Sequence, residues 1–349
     1  MNTATYGTGG ALDWDNTGLS DRLCPHTDTR MAYTWRSNTS AYPSGRLDYM
    51  IHSDAVMTAD RSFSVRTEEM NAARLAQTGL LANDNTTASD HLPITTDFAV
   101  PLAGVNVRMR AFLEGPFDTN TGMMHDSLRV HGLLPLDEPY TALGFAQAGG
   151  GGGESTSASV LAITGADAIV DWVLIELRDK NNNATILATK AALLQRDGDV
   201  VRADGGPDLH FPVNTDSYFV ALRHRDHLGA MTAASATLSS TPITIDLTSP
   251  STITYGTQAE KTIGSVQVLW AGNSVLDHAL RYTGANNDRD PILSRIGGTV
   301  PTATLNGYFL EDINMDGTVK YTGSGNDRDP ILLNIGGVLP TNIRMEQVP

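Results

Sequence analysis

Ala168 to Leu177 reads AIVDWVLIEL, and a second apolar run, TILATKAAL (185–193), follows after the polar turn DKNNNA (179–184). The first run is too short for a membrane span and carries Asp171 and Glu176, so it reads as a strand. Outward from this pair the same rhythm repeats: VRMRAFL (107–113), SASVLAIT (157–164), SYFVALRHR (217–225) and TPITIDL (241–247). The turns between them hold Gly, Asn and Asp, as in RDGD (196–199) and ADGGPD (203–208). Short alternating runs broken every ~8–12 residues by such turns predict an all-β sandwich over 104–250, with Trp172, Tyr218, Val220 and Leu222 in its core. The five glycines 149–153 read as a flexible loop or linker, because STSASVLAIT after them does not read as the helix that phosphate cradling needs.

The chain has 349 residues, which suggests two to three domains. Its 39 Asp+Glu against 24 Lys+Arg give a net charge of −15, which argues against bulk nucleic-acid coating. A single cysteine, Cys24, excludes an internal disulfide scaffold. The opening MNTATYGTGG has neither a basic nor an apolar region, so no signal peptide is expected in this chain. Residues 1–100 read as mixed strands and loops, with strands in RLDYMIHS (46–53) and HLPITTDFAV (91–100) and a helix in TEEMNAARLAQTGLL (67–81).

The last hundred residues hold a duplication. RYTGANNDRDPILSRIGG (281–298) recurs as KYTGSGNDRDPILLNIGG (320–337), with 13 of 18 positions identical. The second copy is preceded by DINMDGTV (312–319), where Asp312, Asn314 and Asp316 alternate before Gly317. Oxygen ligands at positions 1, 3 and 5, with glycine at 6, are the opening of an EF-hand-type calcium loop. Gly323 stands where the acid at position 12 is expected, which delays the closing ligand to Asn326, Asp327 or Asp329. Asp329 as N-cap before Pro330 fits the start of a helix. In the first copy Asn273, Val275, Asp277 and His278 replace the loop residues; Val275 offers no oxygen, so Asn273 and Asp277 form a degenerate loop.

Two such loop–helix units, over about 265–340, resemble the dockerin module of secreted bacterial proteins. That resemblance implies a calcium-folded module spanning 251–349, docking on a cohesin-like or cell-surface partner. In residues 1–103, AYTWRS (32–37), SGRLDYMIHS (44–53) and ASDHLPITTDF (88–98), in that order, resemble the C-terminal end of the endonuclease/exonuclease/phosphatase family of metal-dependent phosphodiesterases. The spacing lets Asp48 and His91 meet on adjacent strands, where a carboxylate fixes the tautomer and basicity of an imidazole. By the resemblance Asp48 orients His91, Asp90 faces the metal, and Arg46 and Trp35 support the strand end. The family also has an early metal-binding Glu and a G-D-x-N motif, whereas the 45 residues before Arg46 hold no D-x-N, DWDN (13–16) being the nearest string. A truncated half-domain is therefore expected, using Mg²⁺ only if an upstream half completes it.

HRDH (224–227) reads as a solvated strand end, because histidines three apart face opposite sides of a strand. The middle region resembles an uncharacterised module of surface proteins from Bacteroidetes-type bacteria. The combined expectation is a mainly β, secreted or cell-surface protein without a membrane span, with a binding or scaffolding role. The alternatives are a Mg²⁺-dependent nuclease completed elsewhere, and a carbohydrate-binding adhesin with aromatic residues as a stacking surface.

Overall fold

A computed structural model describes residues 18–37, 39, 41–54, 57–99 and 104–349. The string DWDN lies outside the described residues. The chain is mainly β, and its contacts divide it into two compact units, Met1–Leu102 and Ala103–Pro349. No described helix is long and apolar enough to cross a membrane.

In the first unit β1 (Ser20–Arg22) pairs with β2 (Met50–His52), and β3 (Thr58–Ser64) pairs with β4 (Ile94–Ala99), both antiparallel. The helix-capable stretch forms a single 3₁₀ turn at Thr67–Glu69 and then α1 (Ala72–Thr78). Asn71 caps α1 by accepting Arg74 N–H at 2.9 Å, and Gly79 ends it in the left-handed region. A second short helix, α2 (Asp84–Ala88), follows. The buried apolar side chains described here are Cys24, Met70 and Leu92, while Leu23, Leu47 and Tyr49 are exposed. That is a thin core.

The second unit is built on β5 (Val105–Arg110), the two-residue hairpin β6 (Phe117–Asp118) and β7 (Met123–Met124), and short helices α3 (Ser127–Val130) and α4 (Ala158–Leu161). The strands β8 (Ile169–Asp179), β9 (Ile186–Gln195), β10 (Asp199–Val201), β11 (Leu209–Phe211), β12 (Asp216–Arg223), β13 (Ala230–Met231), β14 (Ala236–Leu238) and β15 (Ile243–Asp246) complete a nine-stranded sheet with β5. Its spine is the long antiparallel pair β8–β9, closed by the turn that the DKNNNA stretch predicts. β12 lies beside β8, with β13 and β14 following one another along its other edge. β10 and β11 share one edge of β5, and β15 runs parallel to β5 on the opposite edge.

Two expectations change here. SASVLAIT forms α4 rather than a strand, because Ser157 accepts Val160 N–H and starts a helical turn that ends at Ala162. The glycine run is a packed loop rather than a linker. A Cβ on Gly151 would sit 2.3 Å from the Thr189 carbonyl oxygen, so only glycine lets the loop lie against β9.

β8 is buried along both faces up to Arg178. Trp172, Tyr218, Val220 and Leu222 are buried, as the sequence predicts. The same burial takes in Asp171, Glu176 and Arg178. Charges this deep persist only when paired, and Arg178 Nη2 lies 2.6 Å from Glu176 Oε2.

The repeats follow the hairpin β16 (Lys261–Ile263) and β17 (Val266–Val268). Copy one contributes β18 (Ala279–Arg281), α5 (Arg289–Arg295) and β19 (Thr304–Asn306). Copy two contributes β20 (Thr318–Lys320), α6 (Arg328–Asn334) and β21 (Ile343–Met345). The copies are interlocked: β18 pairs with β21, and β19 pairs with β20. Each leading strand thus takes the trailing strand of the other copy. Thr283 Oγ1 donates to Pro340 O and Thr322 Oγ1 to Pro301 O, both at 2.9 Å, which repeats the exchange in side chains. Ile292 and Ile331, equivalent in the two copies, are fully buried in the shared core. A single copy would leave an edge and an apolar helix face bare, so two copies form the smallest closed unit.

Candidate functional site

In the first unit His91 Nδ1 lies 2.8 Å from Asp48 Oδ2. The two residues do not sit on adjacent strands. They meet across Trp35, whose backbone bridges both Gly45 and His91. Thr34, which the sequence reading missed, accepts Leu47 N–H and Asp48 N–H on Oγ1 at 3.0 and 2.8 Å and so fixes Asp48. Burial pushes the Asp48 carboxyl up, but hydrogen bonds with His91 and Thr34 outweigh it and hold the group below its usual range. The Asp48 hydrogen bond raises the His91 imidazole. Trp35 Nε1 donates to Asp90 Oδ2 at 2.8 Å, and Arg46 Nη1 to Asp21 Oδ2 at 2.6 Å. An open cleft of about 870 Å³ is lined by Asp48, Tyr49, Ser89 and His91. The dyad can move a proton at its edge; one orienting carboxylate and one imidazole supply no metal cage.

In the second unit the loop before β20 folds around its own side chains. Asp312 accepts Asp316 N–H at 3.1 Å and Gly317 N–H at 2.8 Å, Asn314 Oδ1 accepts Asp316 N–H at 2.8 Å, and Asp316 Oδ1 accepts Thr318 N–H at 2.8 Å. Met315 and Gly317 are both left-handed, with φ of 59° and 88°. A Cβ on Gly317 would also meet His131 Nδ1 at 2.9 Å. The closing carboxylate is Asp327: Oδ1 accepts from Ile313 N at 2.8 Å and Asn314 N at 3.3 Å, and Oδ2 from Lys320 N at 2.7 Å. Asp329 is not brought to the loop. It lies inside α6, half-exposed, held by Asn326 Nδ2 at 2.8 Å and Arg328 Nη2 at 3.1 Å, and the N-cap position falls to Asp327. Asn326 turns away as well, accepting Asp329 N–H on its side chain.

Burial raises Asp312 to about 7 and Asp327 to about 8, with repulsion from Asp316 adding to both. The donor set is therefore three carboxylates and an amide oxygen, two of the carboxylates out of water. Lys320 Nζ stands 3.7 Å from Asp316 Oδ2, and the Arg225 guanidinium draws on Asp312.

The degenerate copy keeps the same backbone. Leu276 and His278 adopt φ of 60° and 64°, matching Met315 and Gly317, although a leucine is rare in that region. Asp288 repeats the part of Asp327, accepting Val275 N–H at 3.2 Å and Arg281 N–H at 2.8 Å. The oxygens do not converge: Asp277 is paired with Arg281, and Asn273 is buried beside Asp226.

The HRDH stretch is the clearest correction. His224, Arg225, Asp226 and His227 are all buried, and the two Nδ1 atoms of the histidines lie 3.1 Å apart. Strand parity fails because β12 ends at Arg223, and the chain beyond it turns inward. Asp171 from β8 receives Arg225 Nε at 2.8 Å and Tyr308 OH at 2.6 Å, an interaction invisible at sequence separations of 54 and 137. Asp171 interrupting an apolar run was the only signal.

Comparison with protein-family models, curated proteins and solved structures finds no match.

Proposed function

We propose that the chain is a secreted or cell-surface binding or scaffolding protein whose C-terminal repeats form a calcium-stabilised, dockerin-like module beside a β-sandwich. One observation carries this reading: Asp312, Asn314 and Asp316 on the loop and Asp327 at the start of α6 bring hard oxygen donors to the same backbone turn, and burial makes the ionised forms of Asp312 and Asp327 costly. Calcium takes six to eight oxygens and would offset that cost. The four side chains would hold it; the first copy, where Val275 offers no oxygen and Asp277 is paired with Arg281, would hold none. Calorimetry with Ca²⁺ tests this: one ion per chain is expected, lost in Asp316→Ala, and no binding by the native chain would refute it.

The dyad in the first unit favours a second reading, a Mg²⁺-dependent phosphodiesterase or nuclease completed by another segment. Mg²⁺ would stabilise charge on phosphoryl oxygens, while His91 and Asp48 would hold and move a proton. General acid–base action alone gives ~10²–10⁴-fold, far below what phosphodiester cleavage demands. The purified chain is therefore expected to show no Mg²⁺-dependent cleavage of DNA, RNA or a generic phosphodiester. Activity lost in His91→Ala would overturn that expectation. The adhesin alternative gains nothing from Trp172 and Tyr218, which are buried.

A further inference from the structure

The charges around HRDH can be counted proton by proton. His227 Nε2 accepts Gly115 N–H at 3.1 Å, which needs a lone pair on that nitrogen. The proton of His227 therefore sits on Nδ1, where Asp226 Oδ1 receives it at 2.5 Å. His224 faces a carboxylate on each side: Asp171 Oδ2 is 3.2 Å from Nε2, and Asp226 Oδ1 is 2.9 Å from Nδ1. An ionised carboxylate only accepts, and at Nδ1 the Asp226 oxygen is nearer than His227 Nδ1 at 3.1 Å or the Asp226 N–H at 3.5 Å, so the charge balance puts a proton on both nitrogens of His224. Arg225 completes the count, with Nε 2.8 Å from Asp171 and Nη1 2.9 Å from Asp226. Two anions meet two cations, all fully buried. Removing one proton from His224 leaves two carboxylates with a single guanidinium, a state that burial penalises heavily.

The remaining groups around the cluster do not replace that charge. Tyr308 donates to Asp171, and Tyr140 donates to the Trp172 carbonyl at 2.7 Å; burial raises both phenols well above their usual range. Glu114, on the Gly115 side, is engaged by Lys261 and by Asn334 Nδ2 at 2.6 Å. Asp312 acts on Arg225 from the repeat side and only adds negative charge.

His224, Asp226 and His227 also resemble a metal triad, with one ligand atom from each within 4.8 Å of the others. The proton count argues against it. A metal on His227 Nδ1 would move that ring's proton to Nε2, directly against the Gly115 N–H.

We propose that His224 is a buried imidazolium at neutral pH, and that its proton locks the repeat module onto the sheet. The lock is anchored at each end. Asp171 belongs to β8, while Arg225 donates to the Phe309 carbonyl, Tyr308 to Asp171, and Gly272 N–H and Asn273 N–H to the Asp226 carbonyl, both at 2.9 Å. Burial alone would lower His224, but Asp226 and Asp171 outweigh it and raise the group. A histidine raised on folding contributes stability that is complete below its unfolded value and is lost as pH rises through its folded value. Each unit of that rise is a tenfold change in the folding constant.

The test is ¹⁵N NMR of the full chain with labelled histidine at pH 7.5, together with its metal content and urea unfolding at pH 7 and 9.5. Two protonated nitrogens on His224 are expected, with no bound metal. The urea midpoint should fall toward pH 9.5 by more in the native chain than in His224→Gln, at least tenfold in folding constant between them. A neutral His224 overturns the proposal. So does one equivalent of zinc, which would make the cluster a metal centre. If His224→Gln does not fold, the NMR result on the native chain decides alone.

Discussion

Replacing Asp327 by Asn separates the two jobs that this carboxylate does. Asp327 accepts three backbone N–H groups, two on Oδ1 and one on Oδ2. Asn keeps one oxygen acceptor, so either the Lys320 bond or the Ile313–Asn314 pair is lost, at ~1–3 kcal/mol for each buried donor left bare. Removing a carboxyl that burial raises to about 8, and so keeps largely protonated at pH 7.5, works in the opposite direction. That relief is ~5 kcal/mol at pH 7.5 by linkage, enough to offset the lost hydrogen bonds, so in calcium-free buffer the variant should be at least about as stable as the native chain. With Ca²⁺ at a hundredfold its Kd, the native module gains ~2.7 kcal/mol, and the Asn variant, missing the closing carboxylate, gains almost none. Asp329→Asn should keep the whole increment, because that side chain faces away. Asp288→Asn should leave the calcium increment untouched, since Asp288 holds only backbone N–H groups of the first copy. Urea unfolding with EDTA or Ca²⁺, followed by circular dichroism, reads all four proteins. If Asp327→Asn keeps its calcium increment, or Asp329→Asn loses it, the assignment of the closing ligand is wrong.

Other consequences are more direct. Glu260 is buried, and its Oε1 has no partner among the described residues; burial raises it to about 8. A carboxyl raised on folding loses stability as pH climbs from its unfolded value through about 8, so Glu260→Gln should raise the urea midpoint at pH 9 and flatten the profile, by on the order of 4 kcal/mol. Asp48→Asn should bring the His91 titration, followed by NMR, down toward the free imidazole; an unchanged value would show that the hydrogen bond is not formed in solution. Trp172→Ala removes a fully buried ring and its Nε1 bond to Pro135 O at 3.0 Å, and should cost ~3–5 kcal/mol in thermal or urea unfolding. A change below 1 kcal/mol would mean that the β8 core is not packed as described.

Pattern and spacing in the sequence determined the local parts. Period-two runs and Gly/Asn/Asp turns give β8, β9 and β12, because alternation and turn chemistry act within a few residues. Asp312, Asn314, Asp316 and Gly317 form their loop because each hydrogen bond in it spans two to five residues. The pairing of Asp48 with His91 was also legible from order along the chain, although the bridge through Trp35 and the support from Thr34 were not. Only the tertiary structure decided the rest. It set Asp327, not Asp329, against the backbone N–H groups of the loop, since that rests on which way the first turn of α6 faces the loop. It exchanged the trailing strands of the two copies, a pairing between segments that no short-range pattern records. It also turned HRDH inward, where Asp171, itself held by the Tyr308 hydroxyl, pairs with charges that the sequence alone would leave in water. Burial and long-range pairing are properties of the whole packed unit, and they set the protonation of these side chains as well as their position.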